Sequence, residues 1–574
     1  MRLEPDAPFA IDTETTGLRN ADGSDYVIGI SIAGVLAGYG GESHYFPTDH
    51  LVGPNCADST LYELSLALEG RPLIYANVQF DAIGLFNMGL DVRHNEFYDV
   101  CTMATMIDEN VPINKSLDQL AKVYVGEDEG KVKDPFVEKE KKSGNRNITG
   151  EQMYEYACVD AELTFAVWAQ MIETPQWIEL SESTNVWEHK QETIRVLIEM
   201  RMRGVAMDLK VTAELEAEGT ANMARLREAL NFNPGSNKDM HRIFIEELNF
   251  PILKRGKKTE KNPLGAPSFD NSVMEVYDEL LEDMASPLAK QVKEYRGWSK
   301  ATTSCYRPYL KLTDSDGRMR ASFNTHRTVT GRLSSSDPNL QQIPKESVKP
   351  WNGRVKECFV ATPGYEIISI DYSQLEYRVL AAYSGEQSLI EIFAEDRDIF
   401  TEMAAELGME RPRTKVFVHS TNYGQGEESL SIKFKITRAK AKLMLNNYRA
   451  SYPAIAMFNA RCFDKAETRL QVYIWSGRVR HFQWAKEAYK AMNSVIQGGC
   501  ADIVERVMVR VFNETESDDC HMLLQVHDAL VFEIKTELVE QYSTKIKHLM
   551  EDVATVAPAF GIVKFNAEVS PWIQ

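Results

Sequence analysis

At 574 residues the chain is longer than one hydrophobic core organises, and at roughly 150 residues per domain it is expected to hold three or four packed units. Its 44% hydrophobic and 26% charged residues exclude a disordered or fibrous chain, and no apolar run approaches the roughly 18 residues of a membrane span. Eight cysteines without a C-x-x-C pair exclude a disulfide framework and a cysteine-rich zinc site, so a reducing, cytoplasmic setting with no membrane contact is expected. The net charge of −20 opposes an extended nucleic-acid surface, since phosphate is held by Lys and Arg. A local basic cleft stays compatible with it, because net charge is summed over the whole surface.

Residues 1–178 read as an α/β unit. The short apolar strand Phe9-Ala10-Ile11 runs into Asp12-Thr13-Glu14, whose carboxylates, two residues apart on an extended chain, point to one side. A second apolar run spans 27–32. Asn77-Val78-Gln79-Phe80-Asp81 supplies another acid, and Tyr156-x3-Asp160 sets a phenol and a carboxylate on one helix face. The polar, Lys-rich stretch 131–146 between them reads as a surface loop. Four acids and a tyrosine are enough for two-metal hydrolysis.

A boundary is placed near 180. Residues 185–203 form a long amphipathic pattern that stops at Gly204. Helical signals then dominate to about 300. They include the basic run Lys254-Arg255-Gly256-Lys257-Lys258-Thr259-Glu260-Lys261, either a phosphate contact or a solvated loop. Strands and helices mix from there to the end. The segment beginning at Tyr365 is a buried strand that exposes Asp371 at its end. Two apolar strands within 522–533 meet at a tight turn that exposes His527 and Asp528. Hard divalent ions take carboxylate and phosphate oxygens, so two strand-end Asp residues suit phosphoryl transfer.

Between these strands Arg411, Lys415, His419 and Tyr423 recur every four residues and share a helix face. Pro412 places the first two in a first turn, where free N–H groups favour phosphate. Each piece alone more often describes a solvated face or a turn acid; the combination points to a triphosphate.

In order and spacing these segments resemble the family A, Klenow-type DNA polymerases. Thr330-Gly-Arg-Leu-Ser-Ser, Asp371-Tyr-Ser-Gln-Leu-Glu376, Arg411-x3-Lys415-x7-Tyr423-Gly424 and Val526-His527-Asp528 match that family's motifs. The D-x-E, N-x-x-F-D and Y-x3-D signatures resemble the DEDD-type proofreading nucleases with tyrosine. The resemblance implies a multidomain fold, α/β and α+β: a ribonuclease H-like exonuclease domain over 1–178, then a right-hand polymerase domain over 179–574. Its thumb is expected at about 185–320, the palm at about 321–385 and 500–574, and the fingers at about 386–499. No insertion for a processivity factor is legible in the thumb, which is short.

By the same resemblance Asp371 and Asp528, with the Tyr372 carbonyl, hold the catalytic metals of synthesis, and Asp12, Glu14, Asp81 and Asp160 those of hydrolysis, with Tyr156 orienting the water. Arg411 and Lys415 hold the triphosphate, and Lys415 protonates pyrophosphate. Glu376 is the steric gate against a ribose 2′-OH, with Gln374 beside it, and Tyr423 stacks near the templating base. Arg332, Asn493, Gln497 and His527 face the primer-template, where minor-groove acceptors test pairing without reading sequence. Two Mg²⁺ per site are implied, with Mn²⁺ as a substitute. The implied partners are primer-template DNA and dNTPs, with a helicase or other replisome proteins, for a monomeric enzyme.

Four positions depart from the family pattern. His419 stands where Phe or Tyr is usual, Phe400 where a phosphate-contacting His is common, Ala529 where Glu follows the His-Asp pair, and Tyr489 where an Arg touches template. His419 is a candidate to replace the donor lost at Phe400, against a purely structural role. The chain starts almost at the first nuclease strand, so a compact, phage-like replicative enzyme is expected. Three alternatives compete. A single-subunit RNA polymerase is opposed by Glu376 and the editing unit. A non-catalytic replication scaffold is opposed by the retained Asp371, Asp528 and Lys415. The third is an exonuclease or DNA-binding replication protein with a dormant polymerase half.

Overall fold

The structure is a computed structural model that describes residues 7–17, 25–36, 39–111, 116–126, 137, 147–260, 262–282, 286–344 and 354–572. Apart from Val137, the polar stretch 131–146 lies outside these residues, as does Lys261 of the basic run.

The N-terminal unit is built on a five-stranded sheet of β1 (Phe9–Thr15), β2 (Val27–Leu36), β3 (Tyr39–Pro47), β4 (Leu73–Tyr75) and β5 (Phe97–Asp99), ordered β3-β2-β1-β4-β5. β1 pairs antiparallel with β2 and parallel with β4. The first strand is longer than its apolar triplet, so both acids of the D-x-E sequence lie within it. Alternation along β1 separates two cores. Phe9 and Ile11 pack with Val78, Ala82 and Ile83 of α1 (Val78–Asn87), whereas Ala10 packs with Ala161, Leu163 and Val167 of α2 (Gly150–Ile172). A capping box of Thr149 and Gln152 starts α2 by satisfying exposed N–H groups at both ends of the pair.

Helix α3 (Val186–Arg203) belongs to both halves of the molecule. Val186 and Trp187 pack into the α2-side core, Ile194 and Ile198 into the α1-side core, and Val196, Leu197 and Met200 into the large C-terminal core. Gly204 ends it at φ 63°, where a Cβ would meet Met319 O at 2.9 Å, so only glycine turns the chain here. Next come α4 (Leu209–Leu230) and α5 (Leu288–Ala301), with a small core of their own between them formed by Phe232, Phe244, Tyr277 and Val292. Residues 254–260 of the basic run are exposed, and part of the run is used locally: Lys254 pairs with Asp270 at 2.5 Å and Arg255 donates to Gly265 O.

The C-terminal half is organised by β6 (Tyr365–Tyr372), which turns through Gln374 into α6 (Leu375–Ser384). Then follow α7 (Arg411–Asn422), the ribbon of β7 (Gln471–Tyr473) and β8 (Val479–His481), and the long α8 (Ala491–Thr515). The hairpin of β9 (Cys520–Val526) and β10 (Ala529–Lys535) and the final β11 (Ala567–Pro571) complete an antiparallel sheet ordered β9-β10-β6-β11. No helix among the described residues is long and apolar enough to cross a membrane. All eight cysteines are free thiols, seven of them buried.

Two candidate active sites

The first site follows from the alternation in β1. Asp12 and Glu14 leave the strand on the same face as Ala10, and Asp160 rises from α2 on that face. Carboxylate oxygens of the three lie within 4.8 Å of one another. Glu14 and Asp160 are buried. Three carboxylates this close repel strongly where water is scarce, and a hard divalent cation is the ligand that offsets this, so the donor set fits such an ion.

Asp81 comes from the helix on the opposite face and is not in this trio. It accepts the Thr13 amide at 3.2 Å and the Thr13 hydroxyl at 2.7 Å. Burial raises its pKa more than the Thr13 bonds lower it, and Asp99 and Glu14 add to the rise. Tyr156 lies one turn before Asp160, buried against Ile28, Tyr45 and Met153.

At the second site the sheet register sets Asp371 opposite Ala529, and Tyr372 N donates to Asp528 O at 3.4 Å. A strand end and a hairpin turn therefore bring together two acids 157 positions apart. The turn is only His527 and Asp528, with His527 left-handed at φ 57°, a conformation that costs roughly 1–2 kcal/mol for a residue with a Cβ. Asp371, Tyr372, His527, Asp528 and the buried Ala529 line a cavity of about 720 Å³ that also takes in Lys300 and Lys356. The Tyr372 hydroxyl donates away from it, to Met550 O at 2.5 Å.

Helix α7 presents Arg411, Lys415 and His419, with Tyr423 at its C-cap and Pro412 in its first turn. The guanidinium of Arg411 forks onto Asp398 at 2.8 and 2.9 Å. This pair holds the Asp398 carboxyl down at about 2. The Lys415 ammonium sits 5.5 Å from the centre of the Phe400 ring. His419 lies 5.8 Å from Phe400 and edge-on to Tyr377 at 5.2 Å. Burial lowers the His419 pKa beyond what Glu376 restores, so its imidazole is neutral at pH 7.

Glu376 accepts from Arg332 at 2.7 Å and from the Tyr423 hydroxyl at 3.1 Å, and Gln497 donates to that hydroxyl at 3.0 Å. Four side chains expected to face nucleotide and primer-template thus form one hydrogen-bonded chain. Asn493 lies one turn before Gln497 on α8, half-buried. Gln374 is left-handed at φ 54°, and its buried Oε1 has no hydrogen-bond partner among the described residues. Tyr489 abuts the end of α7: a Cβ on Gly424 would meet Tyr489 O at 2.5 Å.

Sequence reasoning missed the charges that join the two halves. Glu109 accepts from Arg480, and its carboxylate lies 3.2 Å from His481 Nδ1. Lys190 of α3 pairs with Glu505 of α8, and within the C-terminal half Arg478 pairs with Asp502 at 3.0 Å, both pairs buried. Asp108, Glu109 and His481 also bring ligand atoms within 4.8 Å of one another, but Arg480 already neutralises Glu109, so an ion-pair network accounts for them. No local pattern marks these partners.

Comparison with known proteins gives two family matches: DNA polymerase family A over residues 205–569 and 3′-5′ exonuclease over residues 1–174. Among relatives, the thermostable DNA polymerase I of Thermus aquaticus is 32% identical over 387 residues, covering 63% of this chain and 45% of that protein. DNA polymerase I of Pseudomonas aeruginosa is 28% identical over 594 residues, covering 97% of this chain and 62% of the relative. The chain therefore spans about half the length of the relatives it matches. A solved structure, the POL domain of Pol1 from M. smegmatis in complex with DNA primer-template and dNTP, has the same fold at TM-score 0.78 and 23% identity, covering 99% of this chain and 96% of that one.

Proposed function

The chain belongs to DNA polymerase family A and carries a 3′–5′ exonuclease domain, and from that premise we propose that it extends a primer 3′ end on a DNA template with dNTPs and trims mispaired ends at its second site. The observation that carries this reading is the sheet register that sets Asp371 beside the Asp528 turn at the mouth of a 720 Å³ cavity.

In this reading 1–178 is the exonuclease domain and 179–574 the hand, with thumb, palm and fingers divided as the sequence suggests. Asp371, Asp528 and the Tyr372 carbonyl would hold two Mg²⁺, and Asp12, Glu14 and Asp160 two more, with Mn²⁺ as a substitute. The ions supply positive charge to the attacking and leaving oxygens of phosphoryl transfer. Lys415 and Arg411, at the N-terminal end of α7, receive the triphosphate, and Arg411 exchanges Asp398 for it. Lys415 then gives a proton to the departing pyrophosphate.

Glu376 releases Tyr423 and Arg332 as nucleotide and primer arrive, and its bulk opposes a 2′-OH. Arg332, Asn493, Gln497 and His527 hold the primer-template. In hydrolysis Tyr156 orients the attacking water. His419, neutral and one turn from Lys415, donates to the nucleotide in place of the donor missing at Phe400. Cytoplasmic dNTPs and DNA are the substrates of a monomer that works beside a helicase or other replisome proteins.

The direct test is extension of a labelled primer on a DNA template with Mg²⁺ and dNTPs. Extension is expected, together with a raised dNTP KM in Lys415→Ala. Degradation alone would reject the polymerase half of the reading. Loss of dNTP over ddNTP discrimination in His419→Phe is expected; unchanged affinity and discrimination would reject the role of His419.

A further inference from the structure

Between the N-terminal unit, α3 and residues 311–337 lies a cavity of about 510 Å³, within the roughly 300–1,000 Å³ of small-molecule sites. None of Asp12, Glu14, Asp81 and Asp160 lines it. Arg201 of α3 does. Arg201 is 8% exposed, and among the described residues its buried Nε has no hydrogen-bond partner and its side chain makes no ion pair. Burial pulls its pKa down to about 10 despite the charges of Asp337 and Asp314. Asp314 is already engaged by Arg320 at 3.1 Å.

Gln79 enters the cavity from the nuclease side. Its Nε2 donates to Phe323 O at 2.6 Å, and its buried Oε1 accepts from none of the described residues. A buried guanidinium and a buried amide oxygen rarely stay unsatisfied, because each keeps its desolvation cost without a compensating bond. The cavity wall thus offers, in Arg201, a buried anion donor and, in Gln79, an open acceptor.

We infer that this cavity binds a nucleoside monophosphate, with its phosphate on Arg201 and one of its N–H or O–H groups donating to Gln79 Oε1. The inference rests on the proposed exonuclease reading, because a monophosphate is what hydrolysis releases beside it. A DNA strand carries the same phosphate chemistry, but a run of phosphates needs a run of available cations. Arg320 in the wall is committed to Asp314 and to Asp316 at 2.6 Å, and the two further cations there, Lys311 and Arg327, are outnumbered by the wall's carboxylates Asp25, Asp99, Asp314 and Asp337. The arrangement suits one phosphate.

Equilibrium dialysis of the full chain against labelled dAMP in EDTA tests this, since without divalent ions the carboxylate sites repel phosphate. One saturable site is expected. Arg201→Gln should weaken it at least about tenfold, as for loss of a charge-assisted bond. Gln79→Met should weaken dAMP while leaving inorganic phosphate binding unchanged. If Arg201→Gln does not fold, Gln79→Glu replaces it: a carboxylate added to the wall that Arg201 lines should abolish binding.

Absence of saturable dAMP binding, or binding undiminished in these variants, overturns the inference. So does a tetrathymidylate that binds more tightly than dAMP and depends on Arg201, which assigns the cavity to the strand. Hydrolysis assayed separately with Mg²⁺ keeps the two readings apart. Hydrolysis without dAMP binding rejects this site alone; dAMP binding without hydrolysis supports the site and rejects the exonuclease reading.

Discussion

In the N-terminal unit three carboxylates from one strand and one helix already lie within 4.8 Å of one another, two of them buried. In the C-terminal half Asp371 and Asp528 stand half-buried at an open cavity, and the side chains expected to meet substrate are engaged with one another: Arg411 with Asp398, and Glu376 with Arg332 and Tyr423. The first site is assembled before any ligand arrives. The second holds its cations and its gate in exchangeable pairs, so the energy of substrate binding is set against contacts that substrate replaces. Altering the partners of the second site should change selectivity there and leave hydrolysis alone.

Glu376→Ala is the sharpest break of that comparison. It removes the shared acceptor of Arg332 and Tyr423, and discrimination against ribonucleotides should fall on the order of tenfold to hundredfold, read as the ratio of kcat/KM for dNTP and rNTP. Exonuclease rate should not move. Unchanged discrimination would mean that the gate lies elsewhere.

A second contrast is in stability against pH. Asp81 has a folded pKa raised above 3.8 by burial, so the folded state binds the extra proton. Its contribution is fully present below 3.8 and is lost as pH rises through the folded value. Melting of the metal-free protein should therefore decline as pH rises across that window. Asp81→Asn should flatten the decline, and an undiminished decline in that variant would show that another group carries it.

Asp398→Ala frees Arg411 from an exposed pair, and exposed pairs are weak, so dNTP KM should fall by only about twofold to fivefold with kcat unchanged. A rise in KM would mean that Asp398 positions Arg411 rather than competing for it. The smallest effect is expected at the junction of the halves. Burial disfavours the charged His481, but the hydrogen bond and charge of Glu109 more than offset this and raise its pKa above 6.5. Its stabilisation is full below 6.5 and fades as pH rises through the folded value. Glu109→Gln should remove that slope from thermal melts, and a slope that persists would place it at another histidine.

What the sequence made legible follows from periodicity. Asp12 and Glu14 at period two, Tyr156 and Asp160 at one helical turn, and the Arg411 to Tyr423 series are local patterns that a strand or helix turns into faces. The N-x-x-F-D sequence marked Asp81 as an acid but carried no information on which side of the sheet its helix packs, and that side separates Asp81 from the trio. The Glu109–Arg480 contact joins residues 371 positions apart. The approach of Arg201 to the cavity of Gln79 depends on how α3 is shared between cores. Both are products of tertiary packing that leave no mark in composition or spacing.

The central claim, two chemically independent carboxylate sites on one chain, is tested most directly by a labelled primer-template assay with Mg²⁺ and dNTPs on wild type, Asp528→Ala and Asp12→Ala. The account predicts that Asp528→Ala degrades without extending and that Asp12→Ala extends without degrading. Loss of both activities in either single variant would contradict it.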